Sequence, residues 1–361
     1  MGAAGRRTAA RCTARHAFKT AVLAGCALAA GTPAYATVDV VTDRISGVDR
    51  YDTTAKVSQR IGVAPALDVV LARGDLPFDA LSGAGLAGAL NTGILLTAPT
   101  NLPPATATEL ARYGDPRDVD VHILGGMSSV SQGIRDGLRG QGYSLIEYSG
   151  TNRYDTAAKV KAAIDQLRGF GGLGNAPDVF VVSGLSAADA LSIGSVAYFY
   201  AIPIVLTDPA VLPGPSTAAV GSADVVIVGG LKAVSAVVSD GIQAANGAGT
   251  VERLQGPNRF ATATQVAAAL GGTSGALLVR GDGANFADAL VASTYAGSRP
   301  TRLPVPILLT GGPGGGDLPA PTQTWLAGAA ADISSVTAVG GTTVISDAAL
   351  TAAARAAGAP Q

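Results

Sequence analysis

Residues Arg44–Val57 read RISGVDRYDTTAKV, residues Tyr148–Val160 read YSGTNRYDTAAKV, and residues Arg253–Val266 read RLQGPNRFATATQV. Gly47, Gly150 and Gly256 hold the same place in the phrase, 103 and 106 residues apart. A phrase kept at that spacing marks a tandem repeat whose unit is long enough to be a small domain. Three further phrases follow in the same order. The second is ARGDLPFDALSG from Ala72, VSGLSAADALSI from Val182 and VRGDGANFADALVA from Val279. The third is GILLT from Gly93, PIVLTD from Pro203 and PILLTG from Pro306. The fourth is HILGGMSSVS from His122, VIVGGLKAVS from Val226 and TAVGGTTVIS from Thr337. Chance does not produce four phrases in one order three times.

Within a repeat, short runs rich in Val, Ile and Leu (68–71, 93–96 and 119–124 in the first) alternate with helical patterns at 52–62, 79–90, 104–113 and 130–139. Near-continuous apolar strands alternating with helices predict a parallel sheet covered on both faces. Pro103-Pro104 and Pro213 to Pro215 suit helix first turns. Ser131, Ser235 and Ser346 follow the Gly-Gly pairs at N-cap spacing. The expected class is α/β: three tandem Rossmann-like or flavodoxin-like parallel-sheet modules, packed together because no long linker separates them. The boundaries expected are a leader at 1–36 and repeats at 37–143, 144–249 and 250–361.

The leader reading rests on Arg6, Arg7, Arg11, Arg15 and Lys19, an apolar run near 21–30, and Ala34-Tyr35-Ala36 as a small-x-small cleavage site. Leu23-Ala24-Gly25-Cys26 offers a rival lipobox, with a short apolar region before it. Cleavage removes both cysteines, Cys12 and Cys26, so the mature chain is held by its core without disulfides. It also leaves 20 Lys plus Arg against 26 Asp plus Glu, a net charge near −6. That balance argues against a general nucleic-acid or anionic-membrane binder, so local cations must hold any anionic ligand. No downstream apolar run reaches the ~18 residues of a membrane span.

Catalytic and cofactor signatures are weak. Gly83-Ala84-Gly85-Leu86-Ala87-Gly88 matches G-x-G-x-x-G, but lies inside a predicted helix rather than on the turn after a strand. Close helix–sheet packing by small residues explains it better, and no cofactor is expected. His122, the one histidine beyond the leader, sits in an apolar run and reads as structural. No G-x-S-x-G, no H-E-x-x-H and no Cys/His cluster with metal spacing occurs. Asp75 with Asp79, and Asp282 with Asp288, are possible carboxylate pairs, yet Leu185 stands where repeat two would need the first. Asp79, Asp189 and Asp288 each sit at a predicted helix start, where an N-cap is the plainer role.

Arg50, Arg153 and Arg259 close the opening phrase of each repeat, followed by Tyr51, Tyr154 and Phe260 and then by Thr. A guanidinium beside an aromatic can hold a phosphate or carboxylate while the ring packs on a sugar face. Equally, each arginine could bridge to the Asp of its own or a neighbouring repeat.

The set R-[IL]-x-G-x-x-R-[YF]-x-T-A, G-D-x-F-x-D-A-L, P-I-L-L-T and V-G-G-x-x-x-V-S resembles the type 2 cell-wall-binding repeat, and the resemblance covers residues 43 to about 358. It implies three Rossmann-like modules in a pseudo-threefold triangle on an exported protein of Gram-positive bacteria. It also implies non-covalent attachment to an anionic, teichoic-acid-like wall glycopolymer through grooves near the module boundaries. Carried onto this chain, Arg50, Arg153 and Arg259 would contact polymer or pair across boundaries, with Asp79, Asp189 and Asp288 as supports. Two departures stand out. Repeat two reads GLSAADAL, losing an Asp and the Phe; repeat three runs 22 residues from Asp288 to Thr310 against 18 from Asp79 to Thr97, adding Arg299 and Arg302. The expectation is a secreted, non-catalytic wall-binding protein. The alternatives are a wall-lytic amidase and an extracellular small-ligand binder.

Overall fold

Twelve short parallel strands carry the architecture of the computed structural model, which describes residues 40–62, 67–76, 78–168, 177–247, 249–282, 286–298, 303–312 and 316–358. The expected leader, and Arg299 and Arg302, lie outside the described residues. In chain order the strands are β1 (Val41–Ile45), β2 (Asp68–Arg73), β3 (Ile94–Thr97), β4 (Asp120–Leu124), β5 (Ser144–Tyr148) and β6 (Val179–Ser183). Then follow β7 (Ile204–Thr207), β8 (Val225–Val228), β9 (Val251–Leu254), β10 (Gly275–Arg280), β11 (Ile307–Thr310) and β12 (Ser335–Val339). They form three four-stranded parallel sheets, ordered β3-β2-β4-β5, β7-β6-β8-β9 and β11-β10-β12-β1. The expected class, three α/β modules, is what the chain adopts.

The fourth strand of every sheet comes from the next repeat's opening phrase. β5 precedes Gly150 yet pairs with β4, and β9 precedes Gly256 yet pairs with β8. β1 precedes Gly47 and pairs with β12, Val41 opposite Ser335, closing the chain into a ring. Sequence pattern missed these strands for a physical reason. Each is an edge strand of four or five residues with two or three polar ones and at most one fully buried, and none has the continuous apolar run that marks β2, β4 or β6.

Three helices meet at the centre: Gly83–Leu90, Ala187–Tyr200 and Ala287–Ser298 pack on one another pairwise. Every residue of Ala187–Tyr200 is buried, so the segment shows no amphipathic stripe, as expected of a helix enclosed on all sides. The G-x-G-x-x-G match is explained here. A side chain at Gly83 would strike Leu124 and Ile94 of its own sheet, as the small-residue reading required. At Gly85 and Gly88, however, it would strike the backbone of Ile202 and Tyr198 in the second repeat. Two of the three glycines therefore serve contact between modules rather than helix–sheet packing, and none lies on a phosphate-binding turn.

Helix starts follow local chemistry. Asp49 accepts from the Asp52 amide at 2.8 Å and Asn258 from the Ala261 amide at 2.9 Å, while Asn152 accepts from the Asp155 amide at 3.0 Å. Ser131, Ser235 and Ser346 occupy N-cap positions as expected; Ser235 and Ser346 accept from the Val238 and Ala349 amides.

A glycine pair tests the central packing. Gly88→Ala is expected to cost at least about 2 kcal/mol in urea unfolding, because neighbouring backbone must move. Gly137→Ala, in the exposed helix Gln132–Gln141 with open space around it, is expected to gain about 1 kcal/mol.

Candidate functional site at the repeat boundaries

Because each opening strand belongs to the preceding sheet, the turn that follows it lies against the preceding repeat's Gly-Gly loop. The turn has one construction in all three copies. The amides of Gly47, Gly150 and Gly256 donate to the hydroxyls of Thr53, Thr156 and Thr262 at 3.0, 3.1 and 3.1 Å. A side chain at any of these glycines would collide with the start of the helix that follows, so glycine is obligatory there. The Gly-Gly loop is anchored from across the boundary. Arg44 donates to the Gly340 carbonyl at 2.8 Å, and Arg253 to the Gly229 carbonyl at 2.8 Å. At the first boundary Glu147 occupies the corresponding position, and the guanidinium comes instead from the buried Arg135, which donates to the Gly125 carbonyl at 3.0 Å and pairs with Glu147.

Arg50, Arg153 and Arg259 begin the helices Arg50–Ile61, Arg153–Arg168 and Arg259–Leu270. Each donates to a glycine carbonyl of its own repeat: Arg50 to Gly74 at 2.9 Å, Arg153 to Gly184 at 2.6 Å and Arg259 to Gly281 at 2.7 Å. Tyr51, Tyr154 and Phe260 are half-buried against the central apolar cluster, beside Gly74, Gly184 and Gly311. Their rings are built into the core, since an aromatic at this helix position gains more by covering the central helices than by facing water.

Asp79, Asp189 and Asp288 do not cap their helices. Asp79 opens a short 3₁₀ turn, Asp79–Ser82, and the other two lie inside the first turn of theirs. Their carboxylates are directed to the Gly-Gly loops, beside Gly125, Gly229 and Gly340, where Ser129 donates to Asp79 at 2.7 Å. Asp189 is 7% exposed. Burial pushes its carboxyl up to about 6, opposed by the Arg259 charge and a hydrogen bond from Thr262. Asp288 is likewise pushed up to about 6 by burial, opposed by Arg50 and a hydrogen bond from Thr53. Each of these two acids thus faces the arginine and threonine of the next repeat. The repeated threonine, marked in sequence only by its constant place after the aromatic, joins the turn glycine and, at two boundaries, the buried acid.

At the boundary between repeats three and one the parts enclose a cavity of about 190 Å³, lined by Arg50, Thr53, Arg280, Asp288 and Thr343 among others. That is below the ~300 Å³ of small-molecule pockets and suits one charged group or sugar ring of a passing chain. The carboxylate pairs considered for catalysis separate into different roles. Asp75 is bound by Arg73 at 2.5 Å, which holds its carboxyl below the usual range, and Asp282 is bound by Arg280 at 2.8 Å. His122 is buried with both ring nitrogens engaged, Nδ1 on the Tyr148 hydroxyl at 3.0 Å and Nε2 on Asp68 at 2.9 Å. Among the described residues, no three His, Cys, Asp or Glu side chains converge as a metal site, and no helix is long and apolar enough to cross a membrane.

The profile of the family described as cell wall binding domain 2 (CWB2) matches residues 44–135, 147–239 and 253–350. The chain belongs to this family. Its three matched segments are the three repeats, each a wall-binding domain. Two Bacillus subtilis proteins are similar in sequence. The amidase enhancer is 27% identical over 73% of this chain and 34% of its own length. The N-acetylmuramoyl-L-alanine amidase LytC is 26% identical over 74% of this chain and 51% of its own length. The chain therefore spans about half, or less, of these curated relatives. Among solved structures, Cwp8 from Clostridium difficile superposes with a TM-score of 0.75 at 25% identity, over 89% of this chain and 52% of that one. Cwp6 from the same organism superposes with a TM-score of 0.71 at 21% identity, over 92% and 50%.

The two buried acids set a pH dependence. A carboxyl raised from 3.8 to about 6 on folding binds its proton more tightly in the native state, so stability is gained as pH falls through 6 and levels off below about 4. Thermal unfolding is expected to show Tm rising from pH 7 to pH 4.5, and a double Asp189→Asn, Asp288→Asn variant is expected to flatten that rise. Asp52 and Asp155, held low by the Val48 and Thr151 amides, act with the opposite sign, mainly nearer and below pH 4.

Proposed function

We propose that this chain is an exported, non-catalytic wall protein that attaches non-covalently to an anionic secondary wall polymer of teichoic-acid-like character. The observation carrying this reading is the boundary itself. Three times over, an arginine at the start of a boundary helix is held by a glycine carbonyl of its own repeat, and at the boundary between repeats three and one Arg50 lines a cavity with Asp288 and Gly341. Membership of a wall-binding family supplies the context. Arg50, Arg153 and Arg259 are the proposed polymer contacts, Asp79, Asp189 and Asp288 their supports, and Tyr51, Tyr154 and Phe260 hold the arginine-bearing helices on the core. Three weak sites on one rigid body multiply into avidity without any single strong contact, which is a physical use for triplication. Export is proposed from the basic-then-apolar N-terminal segment with its small-x-small site.

An amidase reading draws on the name of one relative, of which this chain covers 51%. A zymogram on peptidoglycan separates the two readings: clearing would favour the enzyme.

The wall-binding reading is tested by sedimentation with purified Gram-positive walls before and after extraction of their secondary polymer. Binding is expected to fall by at least about tenfold on extraction, and equal binding to both preparations would contradict it. A folded Arg50→Ala, Arg153→Ala, Arg259→Ala variant is expected to lose most wall binding; unchanged binding would remove these arginines from the site.

A further inference from the structure

The three boundaries share a backbone but differ in charge. On the repeat-one side of the first boundary, Arg73 donates to the Ser128 carbonyl of its own repeat at 2.9 Å and is neutralised by Asp75. Arg153 there lies over the Phe78 ring, 4.1 Å from its centroid. Between repeats three and one, Arg280 takes the place of Arg73 and is neutralised by Asp282, while Arg44 is neutralised by Asp347 at 2.9 Å and Asp49 stands beside Arg50.

Between repeats two and three those acids are missing, and the buried Asp189 is the acid that faces Arg259. Leu185 replaces Asp75 and Asp282, which is particular to this boundary; Ala236 replaces Asp347 and Asn258 replaces Asp49, as Gln132 and Asn152 do between repeats one and two. Alanines, Ala187 and Ala188, stand where the other repeats have Phe78 and Phe286, and Arg259 is exposed whereas Arg50 and Arg153 are half-buried. The second cation has also moved within its repeat, from the strand end to the Gly-Gly loop. Ser183 occupies the position of Arg73 and Arg280, but Lys232 occupies that of Ser128, the residue Arg73 reaches. Lys232 is exposed, on a loop whose Gly230 lies close to Gln255 and Gly256 of the third repeat. Below it the anchoring Arg253 has a buried Nη2 without a hydrogen-bond partner among the described residues.

We infer that the groove between repeats two and three, with the exposed Lys232 and Arg259 as its cations, is the principal anion-binding site, engaged by an anionic polymer ahead of the other two. The inference rests on the reading of the chain as a polymer binder and adds which boundary does most of the binding. An exposed lysine beside an arginine whose opposing acid, Asp189, is buried raises the local potential and the encounter rate with a polyanion, whereas Arg73 and Arg280, each held by an aspartate, must give up that partner first. The substitutions that make repeat two look degenerate are, in this light, what opens its groove.

The test uses the full chain, sedimentation with purified walls at low ionic strength, and displacement by a synthetic glycerol-phosphate hexamer or by hexagalacturonate. Lys232→Ala and Leu185→Asp, both at exposed positions, are expected to weaken wall binding about tenfold with unchanged thermal unfolding. Arg73→Ala is expected to change it by less than about twofold, as a neutralised pair should, and Asp282→Leu to strengthen it. Displacement by either oligomer is expected to weaken in Lys232→Ala; the phosphate and carboxylate arms show which anion the groove takes. Wild-type affinity in both Lys232→Ala and Leu185→Asp, or an equal loss in Arg73→Ala, overturns the assignment of the groove. Failure of the unmodified chain to sediment with walls overturns the polymer-binding reading itself, and the groove assignment with it.

Discussion

The parallel pairing of each opening strand with the preceding repeat's sheet governs the rest of the molecule. It is an ordinary ladder of backbone hydrogen bonds, β1 on β12, β5 on β4 and β9 on β8, but it ties every repeat to its neighbour. Once β5 is in the first sheet, the turn at Gly150 and the helix beginning at Arg153 can only lie on the boundary. The same holds at Gly47 and Gly256. The β1–β12 pairing joins the first strand to the last, so a contact of very long sequence separation completes the third sheet. A contact of that sequence separation carries a large loop-closure cost.

The boundary arginines and aspartates belong to two layers. A lower layer is structural: a guanidinium satisfies the carbonyl of the Gly-Gly loop, supplied by Arg44 or Arg253 from the next repeat, or by Arg135 from the same one. That the donor can change sides while the bond survives indicates that the carbonyl needs a partner more than any one residue needs to provide it. Above it, Arg50, Arg153 and Arg259 are held by glycine carbonyls of their own repeats rather than locked to carboxylates. Buried Asp189 and Asp288, raised to about 6, sit opposite those charges at a cost in stability at neutral pH.

Much of this was legible in the residues. The repeats, the α/β alternation, the serine N-caps and a structural His122 could all be read from spacing and polarity, because each depends on neighbours in sequence. The aromatic rings were harder. Tyr51, Tyr154 and Phe260 beside an arginine are consistent with stacking on a sugar, and only packing against the central helices turns them inward. Likewise, a helix-start Asp looks like a cap until its carboxylate is found facing the Gly-Gly loop, as for Asp79, Asp189 and Asp288. Gly85 and Gly88 showed that a backbone approaches closely, without showing that it belongs to the second repeat.

The sequence by itself determined the number of units, their class, their order and the small set of Gly, Arg, aromatic and Thr positions that each boundary uses. It did so because periodicity, capping and turn chemistry act within a few residues. Tertiary structure alone decided which repeat each opening strand joins, which arginine faces which aspartate, and which boundary the substitutions of repeat two line. Those outcomes depend on which residues meet across the boundaries, and residues such as Lys232 and Ser128, or Leu185 and Asp75, acquire their meaning only where two modules touch.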